Sequence, residues 1–461
     1  MNANYREYLK YIESKRHSSI NSGIEVNYMP SFAFNFQKHI IKNVINRGRS
    51  AAFVDTGLGK TLMELVVAQN FVKHTNKNVL IITPLAVAFQ FIKENDKFGI
   101  TDIEYSKQGK FTKKVVVCNF ERLQYFDPHD FDCVILDESS ILKNDKGATR
   151  QKVTHFLKKV KYRFLFTATP SPNDFIELGT SSEALGFLGY TDMLTKFFKN
   201  NEDTISPQSI GTKWRLKGHA EKAFFEWVSS WSISMRKPSD LGFSDRGFEL
   251  PKLITNHNVI KNTKNMVEES GQILLFNKIK KTRKEIASER RTSINELCEK
   301  AVDLASNYDT SVYWCNLNKE GDLLSKLDKD AIQLKGNMPL DEKEDILLNF
   351  GNGNIKKLIT KAKMTSFGLN WQHCNHTVFF PTFSYEQYYQ AIRRFWRFGQ
   401  KKEVVCDLVY SDGMKRVVKS LEVKQKKADK LFNSLNSAIN STYKDTTKKV
   451  EHNKVDLPNF I

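Results

Sequence analysis

Short apolar runs recur along the chain, separated by segments whose apolar positions follow helical spacing. The first set is AAFV (51–54), VLIIT (79–83), KVVVCNF (114–120), CVILDE (133–138) and RFLFTAT (163–169). These runs are near-continuously apolar rather than alternating, as strands buried on both faces are. Their alternation with helical patterns predicts a parallel α/β sheet. A second set follows: SVYWCN (311–316), AIQLKG (331–336), KKLITK (356–361), TVFFP (377–381) and VVCDLVY (404–410). The pattern therefore predicts two parallel α/β domains in tandem, with no sequence repeat relating them.

The stretch between the two sets breaks the pattern. FLGYTDMLTKFF, a polar segment, and AFFEWVSSWSISMRKPSDLGF predict a helical insertion with a Trp-bearing loop. Residues 261–306 read as a long basic helix. The Lys-rich end, poor in Pro and Gly, reads as helical to about residue 440. The expected division is 1–180 for the first α/β domain and 181–305 for the insertion and basic linker helix. The second α/β domain takes 306–412, and a basic, partly helical tail takes 413–461.

Composition adds the class of partner. The chain has 461 residues, 40% hydrophobic and 27% charged, an ordinary globular balance with room for several domains. Its formal net charge is +19, which favours polyanions: nucleic acid first, an anionic membrane surface second. A basic protein merely kept soluble by its charge is the plainer alternative. The N-terminus has no apolar h-region, and no run reaches the ~18 apolar residues of a spanning helix. Six cysteines without a CxxC pair (118, 133, 298, 315, 374, 406) read as reduced, buried thiols of a cytoplasmic protein. WQHCNH (371–376) sets two histidines beside Cys374, but it lacks a second ligand cluster and runs into a strand.

DTGLGKT (55–61) follows a strand and opens a helical pattern, the context a P-loop requires. Gly57 and Gly59 let the backbone N–H groups turn toward phosphates, and the helix start adds its positive end. Thr56, Gly57, Leu58, Gly59, Lys60 and Thr61 are the phosphate-binding candidates. Lys60 reaches the β- and γ-phosphates, and the Thr61 hydroxyl is a Mg2+ ligand. Val54 stands where the strict motif has glycine. VILDESS (134–140) supplies Asp137 to hold Mg2+ and Glu138 to polarise the attacking water. On its own this Asp-Glu pair could equally cap a helix. Gln37 carries an amide suited to an adenine edge, yet alone it reads as a surface residue on an amphipathic helix.

QAIRRFWRFGQ (390–400) mixes three arginines with three bulky aromatics, which calls for a strongly negative target beside a packed surface. Gln37, DTGLGKT, PLAVAFQ (84–90), NFERL (119–123), DESS, TATPSPND (167–174), TKAKMTSFGLNWQ (360–372) and QAIRRFWRFGQ fall in the order of superfamily 2 helicase motifs. The last two resemble the Swi/Snf-type branch, and the linker KWRLKGHAEKAFFEWVSSWSISMRKPSDLGF resembles that of phage and prophage helicase-like proteins.

The resemblance covers roughly residues 31–410 and implies two RecA-like domains with ATP and Mg2+ between them. It makes Arg394 and Arg397 arginine fingers, puts Gln37 at adenine, and brings Gly368 and Gln400 to the nucleotide. Thr167 and Thr169 would couple the nucleotide and nucleic-acid sites. Phe395, Trp396 and Phe398 would bury the finger helix, while Arg393 reads as a surface ion pair or a further phosphate contact. Thr83, the PLAVAFQ loop, Asn119, Arg122, Lys361, Lys363 and Thr365 become contacts to a nucleic-acid backbone. Lys278–Arg291, Lys415–Lys430 and Trp214, Trp227 and Trp231 are further candidates, as phosphate contacts or base platforms. Ala168-Thr169-Pro170 departs from the branch's Gly-Thr-Pro, and chromatin-type accessory domains are absent.

The expected activity is an ATP-dependent DNA helicase or translocase acting on double-stranded or branched DNA, monomeric and cytoplasmic (host cytoplasm if phage-encoded). A non-catalytic DNA-binding clamp is the alternative, with RNA a lesser substrate.

Overall fold

The computed structural model describes residues 22–200, 214–261, 290–364 and 371–451. The chain divides into two compact units, one of Met1–Asp245 with Lys427–Ile461 and one of Arg246–Lys426.

Unit 1 opens with helix α1 (Asn35–Arg47), strand β1 (Arg49–Val54) and helix α2 (Lys60–Thr75). β2 (Asn78–Thr83), α3 (Leu85–Phe98), β3 (Ile103–Tyr105), β4 (Val115–Asn119), β5 (Phe131–Leu136), α4 (Ala148–Lys158) and β6 (Tyr162–Thr167) follow. β9 (Ser232–Met235) completes a seven-stranded sheet in the order β3-β4-β2-β5-β6-β1-β9, with every pair parallel. The five predicted runs are all strands of it, because a strand covered on both faces must be apolar throughout.

β9 comes from the stretch read as helical insertion. Its sequence SISM hides it, since both serines are buried and hydrogen-bonded. Ser232 Oγ donates to the Val228 carbonyl at 2.8 Å and Ser234 Oγ to Asn436 Oδ1 at 2.7 Å. The rest of that stretch gives α5 (Glu177–Leu185), α6 (Tyr190–Phe197), an antiparallel pair β7 (Phe198–Asn200) and β8 (Trp214–Leu216), and α7 (Glu221–Trp231). α7 has no small core of its own. Trp227 and Trp231 lie in the main core of unit 1, and the Trp231 ring meets Phe53 of β1 edge-on at 6.0 Å. Neither tryptophan is a base platform, and Trp214 packs against the same core.

Unit 2 holds β10 (Leu253–Ile260), α8 (Ile294–Ala305), β11 (Ser311–Trp314), α9 (Asn318–Leu327), β12 (Ala331–Gln333), α10 (Leu340–Gly351), β13 (Lys357–Thr360), β14 (His376–Phe379), α11 (Tyr385–Ile392) and β15 (Val404–Ser411). Its six-stranded sheet runs β10-β15-β14-β11-β13-β12, again all parallel. β10 escaped the apolar pattern because it is a partly exposed edge strand. Its Asn256 and Asn258 both donate to Asp407 Oδ1 at 3.0 Å. The two sheets are RecA-like cores, and α12 (Lys415–Glu451) is a helical extension. Val417 and Val418 of α12 belong to the core of unit 2; its Leu431, Phe432 and Leu435 belong to that of unit 1.

Candidate nucleotide and nucleic-acid sites

In a parallel sheet every strand ends at the same edge, which is where open α/β folds bind ligands. In unit 1, β1 ends at Val54 and the chain turns through DTGLG into α2. Gly57 and Gly59 have φ of 84° and 81°, in the region that favours glycine. A Cβ on Gly59 would stand 2.4 Å from Gln37 Nε2. No side-chain hydrogen bond caps α2, an arrangement in which a helix start can bind an anion. Lys60 Nζ lies along the loop and donates to the Val54 carbonyl at 3.2 Å.

Gln37 is buried, not on a helix surface. Its Oε1 accepts from the Phe34 amide and its Nε2 donates to the Leu58 carbonyl, both at 3.0 Å. The amide thus braces the phosphate loop from behind.

Asp137 follows β5 and is buried. Its Oδ2 accepts from Thr83 Oγ1 at 2.8 Å, and its amide donates to the Ile82 carbonyl. Burial raises its pKa, and the Lys60 charge opposes that rise. Glu138 has φ 49° and ψ 50°, a left-handed conformation rare for a residue with a Cβ. Thr167 Oγ1 donates to Glu138 Oε2 at 3.4 Å and accepts from the Thr169 amide at 3.1 Å. Thr167 thus ties the TAT turn to Glu138.

Sequence reasoning missed Glu64. It is fully buried on α2 and faces the same group; burial first, then Asp137, push its pKa well up. Its place one helical turn after Lys60, on the same face, was the signal that could have found it.

These residues fit a magnesium nucleotide. Mg2+ is commonly held by one or two carboxylates plus the substrate's own phosphates. Asp137, buried beside Lys60 and Glu64, offers one such carboxylate, and among the described residues no group of three or more His, Cys, Asp and Glu forms a cage.

In unit 2, α11 ends at Ile392 and QAIRRFWRFGQ continues as tight turns rather than helix. Phe395 is fully buried and Trp396 packs on the core, its Nε1 donating to the Pro251 carbonyl at 2.6 Å. Phe398 departs from the expectation: it is an exposed side chain stacked on Phe248 at 4.7 Å. Arg393 is not on the surface. It is buried, 4.4 Å from the Trp396 ring centre and 5.3 Å from that of Tyr389. Arg394 and Arg397 are half-buried on the same turn.

Gln400 holds this turn. Its Nε2 donates to the carbonyls of Gln372 (3.0 Å), Cys374 (3.1 Å) and Phe395 (3.3 Å), and its Oε1 accepts from the Lys401 and Lys402 amides. The amide is spent inside the unit, so any part it plays at a nucleotide is through the turn. Gly368 and Thr365 lie outside the described residues.

WQHCNH resolves into packing. His376 Nδ1 meets Ser311 Oγ at 2.8 Å and its Nε2 meets Asp407 Oδ2 at 2.9 Å, with Tyr308 stacked on the ring. At the strand-end edge of β11, β12 and β13 lies a polar cavity of about 440 Å³ lined by Asn318, Asp322, Lys335 and Lys361 among others.

Several basic candidates are engaged with protein. Lys415 pairs with Asp412, Lys427 with Asp174 and Lys430 with Glu221, while Lys424 Nζ donates to the Phe383 carbonyl. Arg290 is buried against Glu320. Lys278–Glu289 lie outside the described residues. No helix among the described residues is long and apolar enough to cross a membrane.

Two family models match the chain. Residues 33–172 match "Type III restriction enzyme, res subunit", and residues 292–399 match "Helicase conserved C-terminal domain". The chain is 22% identical over 431 residues to "Uncharacterized ATP-dependent helicase YqhH" of Bacillus subtilis (strain 168), covering 82% of this chain and 75% of that one. It is 27% identical over 188 residues to the "SWI/SNF-related matrix-associated actin-dependent regulator of chromatin subfamily A-like protein 1" of Xenopus laevis, covering 38% of this chain and 19% of that one. The solved "Sulfolobus solfataricus SWI2/SNF2 ATPase core in complex with dsDNA" aligns over 93% of this chain and 98% of its own, at 17% identity and a TM-score of 0.41. With its two matched regions in this order on two parallel sheets, the chain is a superfamily 2 helicase-like ATPase whose similarities lean to the Swi/Snf branch.

Proposed function

We propose that the chain is a nucleic-acid-dependent ATPase that translocates on DNA. The observation that carries this reading is the convergence at one sheet edge of unit 1. There the uncapped helix start of α2, Lys60, buried Asp137 and the Thr167-linked Glu138 belong to one electrostatic group. The loop amides of Thr56–Gly59 and Lys60 hold the phosphates of ATP, and Thr61 and Asp137 hold Mg2+. The metal, when bound, neutralises phosphate charge. Glu138 orients the attacking water. Gln37 braces the loop that holds the phosphates.

Arg394 and Arg397 stabilise charge on the transferred phosphoryl group, a role worth ~10³–10⁵ in rate in related chemistry. ATP binding favours one conformation of the chain over another, and hydrolysis releases it. Grip on a strand then alternates. Backbone contacts suit stepping because they carry no sequence information. Arg122 in unit 1 and Lys361 at the cavity of unit 2 are the contacts we assign; Thr83 and Asn119 are buried and bonded to Asp137 and Tyr105, so they support the strand ends from within. The preferred substrate is double-stranded or branched DNA, bound by a monomer in the cytoplasm.

ATP turnover and strand displacement on single-stranded, duplex, forked and four-way DNA test this reading. Turnover that rises with DNA supports it; turnover indifferent to every nucleic acid returns the chain to a DNA-binding clamp.

A further inference from the structure

The outer half of the unit 1 sheet ends in a second group of residues around Phe89 and Tyr105, two rings to which the ATPase reading gives no role. β2, β4 and β3 are parallel neighbours, so Thr83, Asn119 and Tyr105 come to one edge. Thr83 sits in register with Asn119, and Tyr105 Oη donates to Asn119 Oδ1 at 3.0 Å. The Tyr105 ring meets Phe89 of α3 with ring centres 5.2 Å apart and planes tilted by 53°. Phe89 keeps 37% of its surface exposed, at a position where an apolar ring gains nothing from water. Tyr125, 49% exposed, lies next along the chain from this edge, with Arg122 5.9 Å from its ring centre.

The charge around the rings is largely basic. Arg122 is close enough to act electrostatically on Tyr105, although Glu121 is as well. Lys93 lies one helical turn beyond Phe89 on the same face of α3, and Lys107 and Lys110 are exposed on the loop after β3. An exposed aromatic pair rimmed by cations suits a ligand with a flat apolar face and a negatively charged backbone. A protein segment would need the first without the second, and fully paired duplex offers the second without the first.

We propose that Phe89 and Tyr105 form a stacking platform for an unpaired DNA base, so that unit 1 engages one strand by its bases as well as by its phosphates. Base–aromatic stacking is tolerant of sequence, which suits a motor that must pass every base. Asn119 fixes the Tyr105 ring from its hydroxyl end. The platform is continuous with the ATP site through Asn119, Thr83 and Asp137, so the strand held here is the one whose binding stimulates turnover. The inference rests on the proposed function, whose substrate it narrows to DNA with an unpaired segment.

The test is binding of the full chain to a fluorescent oligothymidylate, to an abasic strand of equal length and charge, and to a blunt duplex. The wild-type protein is expected to bind the base-bearing strand about tenfold more tightly than the abasic one. Phe89→Leu keeps apolar bulk and loses the ring, and it is expected to bind the two strands alike. Tyr105→Phe keeps the ring and is expected to retain the preference, with circular dichroism verifying the fold of each variant. A wild-type protein indifferent to bases, or a Phe89→Leu variant that keeps the preference, overturns the platform and leaves the rings to a protein partner. Duplex binding without base preference sinks this inference alone, whereas no binding to any DNA sinks the proposed function with it.

Discussion

Thr83 Oγ1 donates to Asp137 Oδ2 at 2.8 Å, both residues buried at the strand-end edge of unit 1. A hydrogen bond of this kind orients the buried carboxylate to which the proposed function gives the Mg2+. Thr83→Val keeps the shape and removes the donor. It is expected to cost about 1.5–3 kcal/mol of stability and to raise the half-saturating Mg2+ for ATP turnover about tenfold. Titration of turnover with Mg2+ checks this, and an unchanged midpoint separates Asp137 from the metal.

Gln400 is expected to act on structure. Gln400→Ala strands buried carbonyls of Gln372, Cys374 and Phe395. The melting temperature should fall, by the equivalent of about 2 kcal/mol or more, together with kcat. A raised KM for ATP at an unchanged melting temperature would instead place the amide at the nucleotide.

Arg397→Ala is expected to leave ATP affinity close to that of the wild-type protein and to lower kcat by about 10³ or more. Arg393→Ala separates the roles on one turn, since Arg393 is packed on Trp396 and Tyr389. That variant should lose stability first. A large affinity loss at normal kcat in Arg397→Ala would contradict the finger role.

Stability should also carry a signature of Glu177. Burial pushes its carboxyl from an ordinary value near 4.5 up to about 7, against two hydrogen bonds from Asn173 that favour the ion. The folded chain therefore keeps the proton where the unfolded chain has lost it. Stability from this group is full below pH 4.5 and is lost as pH rises toward 7, on the order of 3 kcal/mol in all. Melting temperatures across that window should fall in the wild-type protein relative to Glu177→Gln, and parallel profiles would show that the group does not titrate so.

The legible parts of this molecule are those written locally. β1, β2, β4, β5 and β6 announce themselves because strands covered on both faces exclude polar residues. The phosphate loop is legible because its glycines, lysine and threonine are neighbours in sequence. β9 and β10 are not, since Ser234 and the asparagines are satisfied by Asn436 and Asp407, partners far along the chain, and Ser232 by the Val228 carbonyl of the preceding helix. Glu64, the Gln400 brace and the Ser311–His376–Asp407 network are hidden for the same reason. Arg393 shows the limit most plainly: next to two finger candidates, only packing tells it apart.

Steady-state ATP turnover, measured with and without forked DNA on the wild-type chain and on Glu138→Gln, tests the central claim most directly. Forked DNA, which carries both a duplex and an unpaired segment, is expected to raise wild-type turnover, and Glu138→Gln to bind ATP yet turn over very slowly with or without DNA. Wild-type turnover that ignores DNA, or a Glu138→Gln variant that hydrolyses ATP at the wild-type rate, would contradict it.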